Sequence, residues 1–137
     1  MNTHLRLMPL AGACLLTLSS CALRTGTPDE EVVSVQHGKA SWYSVRSNRG
    51  SRTASGQRLE DKSSTAAHRH LPFGTRVKVT NEANGRSEIV TINNRGPYIR
   101  GRIIDVTIGT AERLDFRRQG VATVKVEVLK RIEDDES

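Results

Sequence analysis

Cysteine is nearly missing from this chain, and no apolar run is long. Two cysteines stand at 14 and 21 among 137 residues, so no disulfide framework and no cysteine-rich metal centre can be built. The longest apolar stretch, Leu7 to Leu18, is too short to cross a bilayer. The four histidines offer no metal site: His4 lies at the extreme N-terminus, and His37 and His70 have no ligand-spaced partners. No glycine-rich stretch opens a helix after a strand as a phosphate loop requires. Internal repeats and heptads are absent too, and nothing in the chain calls for a cofactor. Positive charge, by contrast, is plentiful, with a formal net charge of +6.

The N-terminus reads as an export signal. Met1 to Arg6 is a short n-region, Leu7 to Leu18 an h-region, and Leu18-Ser19-Ser20-Cys21 closes it with two small residues before a cysteine. That ending resembles the bacterial lipobox, which implies removal of residues 1–20 and a lipidated Cys21 as the first mature residue. Cys14 is then lost with the signal, so no disulfide is available in a compartment that permits one. Ala22 follows the cysteine. By the sorting rule of enteric-like bacteria, this implies lipid anchoring at the periplasmic face of the outer membrane. Residues 21–36 lack a sustained period and are expected to form a flexible tether. The folded domain is expected over 37–131, one small domain with a modest core. An acidic tail over 132–137 is expected to be solvated.

Arg46, Arg49, Arg52, Arg58 and Lys62 crowd into one stretch. A basic patch can serve nucleic acid, but no nucleic-acid motif accompanies it and an exported protein does not meet that partner. A solvated loop is the plain account. A groove attracting the carboxylates or phosphates of the cell envelope is the functional one.

From Gly38 onward the pattern is β-rich. Strands are predicted at Ala40–Ser44, Arg76–Thr80, Glu88–Ile92, Arg102–Val106 and Thr123–Val128, the second and last with clean alternation. Asn84-Gly85 marks a hairpin turn, since both residues tolerate positive φ. Gly109 to Phe116 can hold a short helix with Ala111 and Leu114 on one face. Short strands, glycine turns and one or two short helices describe a compact, mainly β barrel.

Eight peptides then line up in order. They are Gly38–Tyr43, Thr53–Gln57, Thr65–His68, Leu71–Thr75, Val79–Asn81, Asn84–Ser87, Asn93–Pro97 and Gly101–Asp105. Together they resemble the rare lipoprotein A family, whose catalytic module is a six-stranded double-psi β-barrel. The resemblance covers roughly Gly38 to Leu129. It implies lytic transglycosylase activity on peptidoglycan glycan strands: cleavage between N-acetylmuramic acid and N-acetylglucosamine, with the muramic 6-hydroxyl closing to a 1,6-anhydro end. It further implies a preference for peptide-free strands. Many relatives carry a second, C-terminal glycan-binding domain of the SPOR type, which is not expected here because the sequence stops at Ser137.

Such a reaction needs a group that protonates the leaving glycosidic oxygen and one that takes the proton of the 6-hydroxyl. One carboxyl group can do both in turn, unlike the paired carboxylates of hydrolases. The family pattern places a glutamate and an aspartate where this chain has Gln57 and Asn94. Both amides keep the shape of the acid but have no titrating proton. His68 matches the family histidine, as site residue or as loop support. Asp105 is the remaining acid, with orienting Arg95 or capping the helix as its alternative duties. Trp42 and Tyr43 can offer faces to a sugar or simply fill the core. Arg95 can pair with Asp105 or touch the sugar, while Gly96 and Pro97 shape the turn. The expected partners are peptidoglycan, the membrane through Cys21, and other cell-wall enzymes. A glycan-binding lipoprotein with an inactive site is the competing reading.

Overall fold

The computed structural model describes residues 29–48 and 50–132. Cys21 and the acidic run at the C-terminus lie outside the described residues, and so does Arg49. Six strands close into a barrel: β1 (Glu30–Tyr43), β2 (Thr65–Ala67), β3 (Arg76–Asn81), β4 (Ser87–Asn94), β5 (Arg102–Thr107) and β6 (Val121–Arg131). One helix, α1 (Ile108–Arg113), follows β5 directly. Around the barrel the order is β1-β5-β2-β4-β3-β6. Two pairings are parallel, β1 with β5 and β2 with β4, and the others are antiparallel. This is the double-psi β-barrel, and closure leaves none of its strands as an open edge along the barrel proper.

Alternation in the sequence selects the inward face. In β3, Val77, Val79 and Asn81 are buried while Arg76, Lys78 and Thr80 are half-exposed. The interior is filled by Ala40, Ala66, Val77, Val79, Val90, Ile92, Ile104, Val106, Val124 and Val126, with Leu114 and Phe116 packed against them. β-branched side chains suit a narrow barrel because they fill the pleated wall without long, flexible arms. Burying each contributes ~1.5–3 kcal/mol.

Two expectations change at the ends and the turn. Residues 30–36, expected to belong to the tether, are strand instead: β1 already begins at Glu30 and pairs with β6 from Glu30↔Arg131 onward. Glu30 is buried and ion-paired with Arg76, which ties the start of the strand to the barrel. Five residues, rather than a two-residue turn, join β3 to β4. Only Gly85, with φ 75°, takes the left-handed conformation there, and the Asn81 carbonyl accepts its N–H at 2.8 Å.

α1 starts where the Thr107 hydroxyl accepts from the Thr110 N–H, an N-cap supplied by the last residue of β5. Ala111 and Leu114 are both buried, as the sequence implies. Gly109 is dictated by contact: a Cβ there would meet the Asp61 carbonyl oxygen at 2.6 Å. The segment between β1 and β2, residues 44–64, is thereby held against the helix. It buries Thr53 and Leu59 and leaves Arg46, Arg52, Arg58 and Lys62 in solvent.

Candidate active site

The strand register builds the site. Ala67 of β2 pairs with Asn94 on one side and with Asp105 on the other, and Asp105 pairs in turn with Ser41 of β1. Ser41, Asp105, Ala67 and Asn94 thus form one row across four adjacent strands. Ala67 is the small residue between the two polar ones. A bulge at Asn93 makes this possible, because Ala66 pairs with Ile92 and Ala67 with Asn94. The extra residue lets Asn93 turn inward, 4% exposed, while Asn94 remains in the outer row.

Asn94 is held by donors. Its Oδ1 accepts from the backbone N–H of Ala54 at 2.9 Å and of Arg95 at 3.0 Å. Gln57 reaches the same strand: the Asn93 side-chain amide donates to its Oε1 at 3.2 Å, and the Ser55 N–H donates to the Asn93 carbonyl. The Thr53–Gln57 turn is therefore laced to β4, Ala54 to Asn94 and Gln57 to Asn93, although 36 residues separate Gln57 from Asn93.

Asp105 is the carboxylate in this row. Arg102, three residues before it, donates to its Oδ1 at 2.5 Å, and both side chains are more than four-fifths buried. Neither alternative duty expected of Asp105 is found, since Thr107 caps α1 and Arg95 is engaged elsewhere. Arg95 donates to the carbonyls of His68 and Leu71 at 3.1 and 2.7 Å, and its guanidinium lies 4.0 Å over the Phe73 ring. It braces the 68–73 turn. Gly96, at φ 115°, sets the exit from β4, and Tyr98 folds back towards it.

His68 sits at the edge of the row by its backbone, whose N–H donates to the Asn94 carbonyl. Its ring is fully used. Nδ1 accepts from the N–H groups of His70 and Leu71, so Nε2 carries the proton and donates to Gln36 at 3.0 Å. Burial lowers its pKa, and the neighbouring His70, Arg69 and Arg95 charges lower it further. His68 is a neutral loop anchor in this arrangement.

The two ring residues chosen from the sequence are not open platforms. Trp42 packs on the core and donates its indole N–H to the Arg117 carbonyl at 3.1 Å. Tyr43 buries its hydroxyl. Burial pushes that phenol up to about 12, opposed by the Thr65 and Asn94 side chains beside it and assisted by the Asp105 charge. No hydrogen bond of good geometry closes on the phenol oxygen from either neighbour. Sequence reasoning missed the exposed rings, Phe73 at 42% and Tyr98 at 76%, which flank Arg95. The signal was available: both stand next to turn residues, in Pro72-Phe73-Gly74 and Gly96-Pro97-Tyr98, where rings have no core to enter. It also missed Arg102 and Asn93, the partners of Asp105 and Gln57.

Two hollows lie outside the row. One of about 360 Å³ is lined by Asn84, Asp115, Phe116 and Gln119, and one of about 450 Å³ by Glu30, Arg76 and Arg131. Among the described residues no three His, Cys, Asp or Glu side chains converge as metal ligands would.

A double-psi barrel with a polar row across four strands beside a basic loop is the class of protein these features define. Residues 35–126 match the family model described as lytic transglycolase. The probable endolytic peptidoglycan transglycosylase RlpA of Nostoc sp. is 56% identical over 82 residues, 60% of this chain and 22% of that protein. The endolytic peptidoglycan transglycosylase RlpA of Neisseria meningitidis serogroup A is 46% identical over 104 residues, 75% of this chain and 43% of that one. The chain belongs to this rare lipoprotein A family of peptidoglycan lytic transglycosylases. It spans less than half the length of these two relatives. Among solved structures, Streptomyces papain inhibitor superposes with a TM-score of 0.57 at 20% identity, over 73% of this chain and 97% of that one. An expansin of Clavibacter michiganensis superposes at 0.53 and 16%, over 76% and 53%. These two show the fold alone.

Proposed function

We propose that this domain binds peptidoglycan glycan strands across the Asn94–Ala67–Asp105 row and cleaves them as a weakened lytic transglycosylase. Asp105 is the acid that remains. The observation that carries this reading is the register itself, which sets one carboxylate and one amide on either side of a small residue. In the reaction, an acid protonates the glycosidic oxygen between N-acetylmuramic acid and N-acetylglucosamine, and its conjugate base takes the proton of the 6-hydroxyl as the 1,6-anhydro ring closes. Gln57 and Asn94 can orient a sugar by hydrogen bonds but cannot transfer its protons. Removing a positioned general acid or base costs ~10²–10⁴-fold in rate. Two losses in one site are not multiplied.

The substrate in this proposal is the strand stripped of stem peptides. Exposed Phe73 and Tyr98 offer the stacking faces, and the basic 44–64 loop attracts the anionic wall. Lipidated Cys21 would hold the domain at the periplasmic face of the outer membrane, within reach of other wall enzymes.

A second reading is an inactive glycan-binding or tethering lipoprotein. The ion pair between Arg102 and Asp105 favours it, because the one acid already has a partner. Digestion of purified peptide-free strands separates the two. Slow release of 1,6-anhydro products, lost in Asp105→Asn and raised ~10²-fold by Gln57→Glu with Asn94→Asp, supports the weakened enzyme. No product from the natural chain, together with retention on insoluble peptidoglycan, supports the binder. Turnover untouched by Asp105→Asn would overturn the role given to that residue. Labelling with a fatty-acid analogue, abolished by Cys21→Ala, tests the anchor.

A further inference from the structure

We propose that the hollow of about 360 Å³ at the start of β6 is a saccharide subsite just beyond the polar row, and that it takes an uncharged N-acetylated sugar unit. This rests on the function proposed above only for the presence of a glycan strand along the row.

Register leads from the row into the hollow. Ser41, the partner of Asp105, pairs on its other side with Val121 of β6, and Val121 lines the hollow. Paired residues share a face of the sheet, so Val121 continues the row onto a fifth strand. It lies two strand spacings from Asp105, about 10 Å. The Ser41 hydroxyl donates to the Gly120 carbonyl at 2.8 Å and fixes the loop that enters β6. A chain of linked sugars lying over Asp105 thus needs only a short reach to place a further unit here.

The end of α1 makes one wall. Leu114 is its C-cap, and the Asp115 and Phe116 N–H groups donate back to the Glu112 and Ala111 carbonyls, the two bonds of a Schellman motif. The motif needs a left-handed residue at 115, where φ is 58° and glycine is the usual choice. Here the chain sets a carboxylate, at the negative end of the helix dipole, which disfavours it. Fold stability alone does not select that residue. Opposite it, the side-chain amides of Asn81 and Asn84 donate to the Leu114 carbonyl at 2.9 and 3.0 Å, so the β3–β4 turn forms the second wall.

The lining sets the chemistry of the occupant. The Asp115 and Gln119 side chains are exposed and have no hydrogen-bond or ion-pair partner among the described residues. Asn84 keeps one amide hydrogen and one oxygen lone pair after serving Leu114 and Arg86. A carboxylate accepts from two neighbouring hydroxyls, and the amides match the N–H and C=O of an acetamido group. Val121 and Ala122 offer an apolar side for its methyl. No lysine, arginine or histidine lines the hollow, so an anionic ligand would meet only the Asp115 charge. One carboxylate among amides is also a poor calcium site, since that ion takes about six to eight oxygens.

NMR titration of the full chain with tri-N-acetylchitotriose, an uncharged sugar oligomer, tests the subsite. The backbone amides of Asp115, Gln119 and Val121 should move. Asp115→Gly should weaken the affinity roughly tenfold or more. The same change should raise the thermal midpoint by about 3 °C or more, because the motif gains its usual residue and the helix end loses an unfavourable charge. Gln119→Ala should weaken binding with the midpoint unchanged. N-acetylglucosamine should move these amides further than N-acetylmuramic acid, whose carboxylate meets Asp115. Amides that move only along the row, or an affinity unaltered by Asp115→Gly, would overturn the subsite. Movement with calcium chloride and none with sugar would make the hollow a cation site and overturn it as well. A lowered midpoint in Asp115→Gly would give the carboxylate a structural duty, with the same consequence. Digestion of glycan without shifts in the hollow leaves the proposed function standing, and shifts without digestion leave the subsite standing, so the two fail separately.

Discussion

Asn94 and Asp105 stand on opposite sides of Ala67 in a single row of paired residues, two strands apart and both facing out of the barrel wall. The distance between them is therefore set by backbone pairing rather than by side-chain choice. A larger side chain at 67 would push into the space between them.

Arg102 is the partner on which Asp105 depends. Arg102→Ala leaves a mostly buried carboxylate without its counter-charge, which costs about 2–3 kcal/mol of folding stability. Denaturant unfolding should show this loss, with Asp105→Asn less damaging than Arg102→Ala because the neutral amide demands less solvation.

Phe73 and Tyr98 should act in binding without acting in folding. Each is well exposed, so Phe73→Ala and Tyr98→Ala should shift the thermal midpoint little. Retention on peptide-free glycan should weaken by roughly fivefold for each, about 1 kcal/mol per lost ring contact. Phe73→Ala also uncovers Arg95, so the larger effect is expected there.

His68 gives the stability a pH dependence of defined sign. Its folded-state pKa lies below the usual value of about 6.5 because burial, then His70, Arg69 and Arg95, disfavour the imidazolium. Between the folded pKa and about 6.5, the unfolded chain binds a proton that the folded chain refuses. Its contribution is thus fully present above about pH 6.5 and declines as pH falls towards the folded value. Thermal midpoints across this range should slope downward with acid, and His68→Gln should flatten the slope.

Gly109→Ala should be among the most damaging small changes in the molecule. The added methyl would meet the Asp61 carbonyl oxygen and the Lys62 Cα, both backbone atoms that cannot swing away. A loss of about 1–3 kcal/mol is expected by calorimetry. The displaced 44–64 segment carries Ala54 and Gln57, so glycan retention should fall with it.

How far the sequence reaches can be judged residue by residue. Strands β3 and β6 are legible because their alternation repeats over four or more residues, and β4 and β5 because they are rich in β-branched residues. β2 is not, since Thr65–Ala67 is three residues long and has no period to read. β1 extends to Glu30 because β6 is there to pair with it, a partner nearly a hundred residues away. Residues of the site carry the same division. Gln57, Asn94 and Asp105 come from motif peptides, but the bulge at Asn93 that aims Asn94 is a property of pairing with β2. Tyr43 and Trp42 look like sugar platforms in one dimension, and only packing shows that their polar atoms point inward or are tied to Arg117.

The sequence by itself determined the barrel class and the family, because these depend on local residue identity and order. Tertiary structure decided that Arg102 rather than Arg95 holds Asp105, that the His68 ring is spent on its own loop and on Gln36 of β1, and that Phe73 and Tyr98 are exposed rings. The physical reason is that charge pairing, burial and hydrogen-bond saturation depend on distances between strands, and barrel closure alone sets those distances.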